Sequence, residues 1–348
     1  MKLTSLLGAG LVALACSIAL VGCGSGGGST ASGSSTPGAP APSGARVTGS
    51  FDIDGSNTVY PISAALVEDF NRTVGDAKVT VGKAGTGAGM EKFAKGEIAI
   101  AAASRPIKAD EMAALKEAGI EFIEIPIAFD GLCIVVSQKN TWLKSITVAE
   151  LNKMWDEKST AKTWRDINPS WPNEPFKLYG PTSAHGTYEY FNEVINGDKK
   201  NTRQDYSQQA EYDGLVAGVG GDMNALGYVG FAYANTATAL RSVAVDGGNG
   251  PVEPTDTTIL DGTYQPLSRP LLMYVNKKMM DENAAIRAFV EFMISDAAKD
   301  SVKTAEYIPL TDAAYTAIRE YVKAGVTGSR MQGAKPGTPL EQLFVAKP

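Results

Sequence analysis

The sequence predicts an α/β fold in two lobes. Three observations point there. Short apolar strands alternate with stretches whose apolar residues recur at helical spacing. At three places a strand runs through a polar, glycine-containing turn into a helix. Beyond the N-terminal region roughly 300 residues remain, long for one hydrophobic core.

The first junction is Asp54-Gly55-Ser56-Asn57-Thr58-Val59-Tyr60-Pro61. It follows an apolar-alternating run over 47–53 and precedes a helical pattern in which Ile62, Ala65, Leu66 and Phe70 share a face. The second follows the strand at 78–81. It reads Gly82-Lys83-Ala84-Gly85-Thr86-Gly87-Ala88-Gly89, before Met90 and Phe93 on a helix. The third follows 177–179. It reads Gly180-Pro181-Thr182-Ser183-Ala184-His185-Gly186-Thr187, before Tyr188, Phe191 and Ile195. A helix start carries unpaired N–H groups and the positive end of the dipole, so such turns suit an anion. Ser56, Asn57 and Thr58 read equally well as ordinary helix caps. The second turn lacks the Gly-Lys-Ser/Thr ending of a P-loop.

Between these junctions lie further elements. An apolar strand at 98–103 ends in Ser104-Arg105-Pro106, which places Arg105 at the carboxyl end of a strand, where α/β sheets bind ligands. Two strands are expected at 122–127 and 132–137, separated by Phe129-Asp130-Gly131. Thr147-Val148-Ala149-Glu150 reads as a capping box. Asp213 opens another helical stretch, ended by Gly220-Gly221. The four tryptophans are spaced irregularly and read as core. Helical patterns over 281–294, 297–306 and 312–322 close the chain.

The N-terminus carries Lys2, an apolar run over 6–21, and Leu20-Val21-Gly22-Cys23. Such a run is a secretory signal, too short to span a bilayer. Residues 24–44 are almost wholly Gly, Ser, Ala, Thr and Pro, a composition that stays unfolded and serves as a tether. Of three cysteines, Cys16 falls in the signal and Cys23 at its end, leaving Cys133 alone as a small core residue. The formal net charge of −6 argues against nucleic acid, whose binding needs Lys and Arg against phosphates. A small anion held by local dipoles remains compatible with that charge. The single histidine cannot build a clustered metal site, and no nucleophile elbow is present, so neither catalysis, metal nor cofactor is expected.

Together these strings resemble the phosphate-binding lipoproteins, the substrate-binding subunits of bacterial phosphate ABC transporters, in the periplasmic-binding-protein superfamily (type II). The similarity rests on the Leu20-Val21-Gly22-Cys23 lipobox, the three turns, Ala103-Ser104-Arg105-Pro106-Ile107, Ala225-Leu226-Gly227-Tyr228 and Asp261-Gly262-Thr263-Tyr264-Gln265-Pro266-Leu267-Ser268-Arg269-Pro270. It implies two lobes, each a mixed sheet flanked by helices, joined by two hinge strands near 125–130 and 267–271. The implied organisation is signal peptide 1–22; lipidated Cys23 and tether 23–45; lobe 1 at 46–127 plus 269–348; lobe 2 at 128–268. The implied function is capture of inorganic phosphate and its delivery to permease subunits. The implied setting is the cell envelope outside the cytoplasmic membrane, as a lipid-anchored monomer. Another tetrahedral oxyanion, or a sensor or surface role on the same fold, is the alternative. By position the phosphate contacts are Ser56, Asn57, Thr58, Thr86, Gly87, Ser104, Arg105, His185, Gly186 and Thr187, with Arg105 as the cation.

Four positions depart from the family pattern. Acids expected beside Arg105 are Ala99 and Ala102, a serine expected in the first turn is Asn57, and one expected in the third is His185, a titratable imidazole. The family uses a buried carboxylate to accept the proton that phosphate carries and sulfate lacks. Asp54, Asp130 and Asp213 are the remaining candidates. Altered pH dependence or discrimination is therefore expected.

Overall fold

The described residues of this computed structural model are 46–183, 185–198, 200–335 and 338–346. Cys16, the lipobox, Cys23 and the tether lie outside them. The first elements are β1 (Val47–Gly55), α1 (Tyr60–Thr73), β2 (Gly75–Val81), α2 (Thr86–Ala94), β3 (Ile100–Ala103), α3 (Ala109–Glu117) and β4 (Phe122–Ser137). Next come β5 (Ser145–Thr147), α4 (Val148–Trp155), α5 (Trp164–Ile167), β6 (Lys177–Pro181), α6 (Gly186–Asn196), β7 (Ser207–Gln209) and α7 (Tyr212–Gly221). These lead to β8 (Ala225–Gly230), α8 (Phe231–Thr236), β9 (Leu240–Asp246), β10 (Pro251–Val252) and α9 (Asp256–Leu260). The last are β11 (Ser268–Asn276), α10 (Lys277–Glu282), α11 (Ala284–Met293), α12 (Ala298–Thr304), α13 (Asp312–Lys323) and α14 (Leu340–Leu343).

The main sheet runs β2-β1-β3-β11-β4-β8-β6-β7. β1 pairs in parallel with β2 and β3, and β11 lies antiparallel between β3 and β4. On the far side β4 pairs antiparallel with β8 and β9, while β6 lies parallel between β7 and β8. β4 therefore belongs to both groups of strands. Its residues 122–131 pair with β11, and 132–137 with β8 and β9. All sixteen of its residues are buried, as expected of a strand covered on both faces. Where the sequence suggests two strands there is one. Asp130 and Gly131 stay in the ladder because Arg269 and Ser268 pair with them.

The helices are amphipathic, and their apolar stripes reach the sheet. In α1, Ile62, Leu66 and Phe70 recur at intervals of four and are fully buried. Phe70 meets Phe289 of α11 edge-on at 5.5 Å between ring centres. In the second group Trp155 packs against Phe191, Tyr206 and Tyr228. Trp142 and Trp171 are partly buried against Trp164, so the tryptophans are core. Cys133 is fully buried, and burial pushes its thiol up to about 12, which leaves it inert. Ala99 and Ala102 are 4% and 2% exposed. A carboxylate at either position would be driven into the apolar core.

Candidate functional site

The turn after β1 is dictated by Gly55. Its φ is +139°, and a Cβ there would stand 2.1 Å from the carbonyl oxygen of Ala102. Only glycine fits. The close approach lets Ser56 N–H donate to Ala102 O at 2.9 Å. Thr58 N–H donates to Ser56 Oγ, and Val59 and Tyr60 N–H both donate to the Ser56 carbonyl. Pro61 has no N–H. The helix begins at Tyr60, within the predicted turn and just ahead of its apolar stripe, and four amides of the turn are spent within the protein. The side chains of Ser56, Asn57 and Thr58, rather than the helix N-terminus, are what this turn offers.

The second and third turns keep their helix starts. α2 opens at Thr86 behind Gly85, and α6 opens at Gly186 behind His185. The two groups of strands bring the first and third turns together. A Cβ on Gly186 would lie 2.8 Å from Thr58 Oγ1, so the α6 backbone stands directly against that hydroxyl. Asn57 Nδ2 donates to Glu189 Oε1 on α6 at 3.1 Å.

Beside this contact opens a cavity of about 830 Å³. Of the expected residues, Asn57, Asp130, His185, Gly186, Thr187 and Asp213 line it. Lys83 lines it too, 5.3 Å from the centre of the Tyr60 ring. Glu211 and Glu306 add to its acidic wall. Ser56 and Thr58 are buried beside it. Thr86 and Ser104 are buried against each other: Ser104 N–H donates to Thr86 Oγ1, and the two hydroxyls lie 3.3 Å apart. Gly87 is exposed and does not line the cavity.

Arg105 is committed elsewhere. Its two terminal nitrogens donate to the two oxygens of Glu111, at 2.9 and 2.7 Å. Glu111 also accepts from Lys108 N–H, reaching back from the N3 position to the N-cap amide of α3. Burial would raise the Glu111 carboxyl, but Arg105 and the Lys108 amide outweigh it and hold it below the usual range. The same pairing raises Arg105 further above its ordinary value.

The guanidinium at the centre belongs to Arg269, which sequence reasoning missed as a site residue. Its Nη2 donates to Thr58 Oγ1 at 3.1 Å. Nε and Nη2 both donate to Asp130 Oδ2, at 3.2 and 3.1 Å. Its plane lies 3.5 Å from the centre of the Tyr190 ring of α6, a cation–π contact. One side chain thus touches β4, the first turn and α6. The signal was available: Ser268-Arg269-Pro270 repeats the tripeptide Ser104-Arg105-Pro106.

The three candidate acids differ. Asp54 accepts from Gly55 N–H at 2.7 Å and Ala84 N–H at 2.9 Å, and forms an ion pair with Lys92. Burial acts to raise its carboxyl, but these donors prevail and keep it below the usual range. It clamps the first two turns together and does not line the cavity. Asp213 is exposed and accepts from Tyr233 OH. Asp130 is 8% exposed, and burial pushes its carboxyl up despite Arg269. His185 donates from Nε2 to the Ala210 carbonyl at 2.6 Å, and Thr187 Oγ1 lies 2.7 Å from Tyr212 OH. Among the described residues no cluster of three or more His, Cys, Asp or Glu could hold a metal, and no helix is long and apolar enough to cross a membrane.

The model of the PBP superfamily domain matches residues 40–297. Protein SphX of Synechocystis sp. is 40% identical over 287 residues, 82% of this chain and 85% of that protein. The phosphate-binding protein PstS of Staphylococcus epidermidis is 38% identical over 258 residues, 74% of this chain and 78% of that protein. The crystal structure of a possible phosphate binding protein from Planctomyces limnophilus superposes with a TM-score of 0.76 at 39% identity. It covers 79% of this chain and 97% of that one.

Proposed function

The chain belongs to the phosphate-binding proteins of the PBP superfamily, and we propose that it captures inorganic phosphate in its cleft and delivers it to an ABC permease. One observation carries the site: the α6 backbone at Gly186 meets the Thr58 hydroxyl, which Arg269 also holds. An oxyanion entering there finds the N–H groups at the α6 start in the cavity wall, with the first-turn hydroxyls and the Arg269 guanidinium, paired to the lining Asp130, beside it. Charge-assisted hydrogen bonds contribute about 1.5–3 kcal/mol each. Three or four, less the cost of closure, reach the ~8 kcal/mol of a micromolar site.

In this proposal Ser56, Asn57, Thr58, Gly186 and Thr187 contact the ligand from the start. Thr86, Gly87, Ser104 and Arg105 lie outside the cavity lining, Arg105 with its charge already balanced by Glu111, and are left out of these first contacts. Asp130 is the acid placed to share a ligand proton, being buried, in the cavity and on the same guanidinium. Lobe 1 comprises 46–127 and 269–348, lobe 2 comprises 128–268, and β4 and β11 are the hinge strands. Signal removal leaves Cys23 lipidated and the domain tethered outside the cytoplasmic membrane as a monomer. The role is binding and release, with no catalytic step.

Thermal melting tests the function. A ligand that binds only the folded state stabilises it by about 2.7 kcal/mol at a hundred times its Kd. Phosphate is expected to raise the melting temperature with concentration. A curve unmoved by millimolar phosphate contradicts the proposal.

A further inference from the structure

The start of α7 is tied to the start of α6 at two points. His185 Nε2 donates to the Ala210 carbonyl at 2.6 Å, and Tyr212 OH lies 2.7 Å from Thr187 Oγ1. The Tyr212 ring packs against two others, with its centre 5.3 Å from that of His185 and 4.9 Å from that of Tyr233. Tyr233 is in turn bonded to Asp213, the next residue of α7. The phenol is therefore held in place from several directions. Thr187 and Tyr212 both line the cavity.

The two hydroxyls have a direction. A phenol is a far stronger acid than an aliphatic alcohol, and its oxygen is the poorer acceptor because a lone pair is shared with the ring. The Gly230 amide also faces the Tyr212 oxygen, and an amide N–H only donates. Burial pushes the phenol up to about 12, so it keeps its hydrogen. Tyr212 O–H thus donates to Thr187 Oγ1. The hydrogen of Thr187 then has no acceptor among the described residues, and it belongs to a residue of the cavity wall. We propose that Tyr212 is a positioning residue: by donating to Thr187 Oγ1 it turns the Thr187 hydrogen toward the bound anion. This rests on the phosphate-binding function and the Thr187 contact proposed above. A hydroxyl that accepts one hydrogen bond is polarised to donate the next more strongly. Such a neutral donor matters here, because Lys83 is the only Lys or Arg among the described lining residues, against Asp130, Glu211, Asp213 and Glu306. His185, where a serine is expected, serves the same arrangement through its bond to Ala210 and its packing on Tyr212.

The test is phosphate titration calorimetry on the wild type, Tyr212→Phe, Thr187→Val and the double variant. Phenylalanine keeps the ring contacts and removes only the hydroxyl. Tyr212→Phe is expected to weaken phosphate binding by about three- to tenfold, and Thr187→Val, which removes the donor itself, by about tenfold or more. In the double variant the loss of the phenol hydroxyl is expected to cost nothing further, since the group it steers is gone. Should Thr187→Val bind too weakly for calorimetry, the same four proteins are compared by the rise in melting temperature at tens of millimolar phosphate. Wild-type affinity in Tyr212→Phe overturns the role of Tyr212 while phosphate binding stands. So does weakening by the same factor with and without the Thr187 hydroxyl, which is what a loosened fold would give. A wild type that binds no phosphate overturns the function and this role together.

Discussion

The residue that most changes the account of this cleft is Arg269. Arg105 stands in the motif that points to a cation, but its guanidinium is matched oxygen for oxygen by Glu111. Arg269 spends two nitrogens on one oxygen of Asp130, and its Nη2 also reaches Thr58 Oγ1. It was hidden because Asp130 is 139 positions away in sequence and the arginine lies on a strand rather than in a glycine turn. Removing it should leave Asp130 buried without its counter-ion, and Thr58 without its donor. Arg269→Gln is expected to weaken phosphate binding by about ten- to a hundredfold, the equivalent of about 1.5–3 kcal/mol. Arg105→Gln is expected to weaken it by less. Calorimetry on the two variants decides between them, and the reverse order would return the central charge to Arg105. Asp54 holds the first two turns together: its carboxylate accepts from Gly55 N–H, Ala84 N–H and Lys92, which occupy the oxygens a ligand proton would need.

Among the elements, β4 does most to organise the molecule. Its sequence suggested two strands because Phe129-Asp130-Gly131 looks like a turn, and local composition cannot reveal that β11 supplies partners for all three. The three turns were legible, since glycines with Ser, Asn and Thr before an apolar helical stripe leave a local trace. At the first of them the Ser56 carbonyl accepts from the Val59 and Tyr60 amides and so opens α1 at Tyr60. β4 also carries Glu124, which is fully buried and accepts from Tyr274 OH, Ser329 Oγ and the amides of Arg330 and Met331. Tyr274 OH in turn accepts from Ile107 N–H, which ties the loop after Arg105 to β11 and to the C-terminal segment. Burial dominates these bonds and raises the Glu124 carboxyl above its ordinary 4.5. A raised carboxyl in the folded state binds its proton more tightly there than in the unfolded chain. Its contribution is therefore full below 4.5 and is lost as pH rises through the raised folded value. Glu124→Gln is expected to flatten this part of the stability profile, read as melting temperature against pH from 4 upward. A slope identical to wild type would show that another group is responsible.

At the scale of the whole molecule, the chain passes from the first group of strands to the second along β4, and β11 pairs beside it. Residues of both groups meet at Thr58, Gly186, Asn57 and Glu189, next to an acidic cavity. The net charge of −6 would repel an anion at long range, so binding has to come from short-range donors, such as the helix-start amides in the cavity wall and the hydroxyls and Arg269 beside it. The family resemblance was legible because its strings are long. The meeting of the first and third turns was not, because Asn57 Nδ2 finds Glu189 on α6, 132 positions along the chain. Titration calorimetry of the ligand-free wild type with inorganic phosphate at neutral pH decides whether this cleft is an oxyanion site. Saturable binding to a single site is expected, with a Kd of about a micromolar or tighter. Absence of a saturable heat would contradict it.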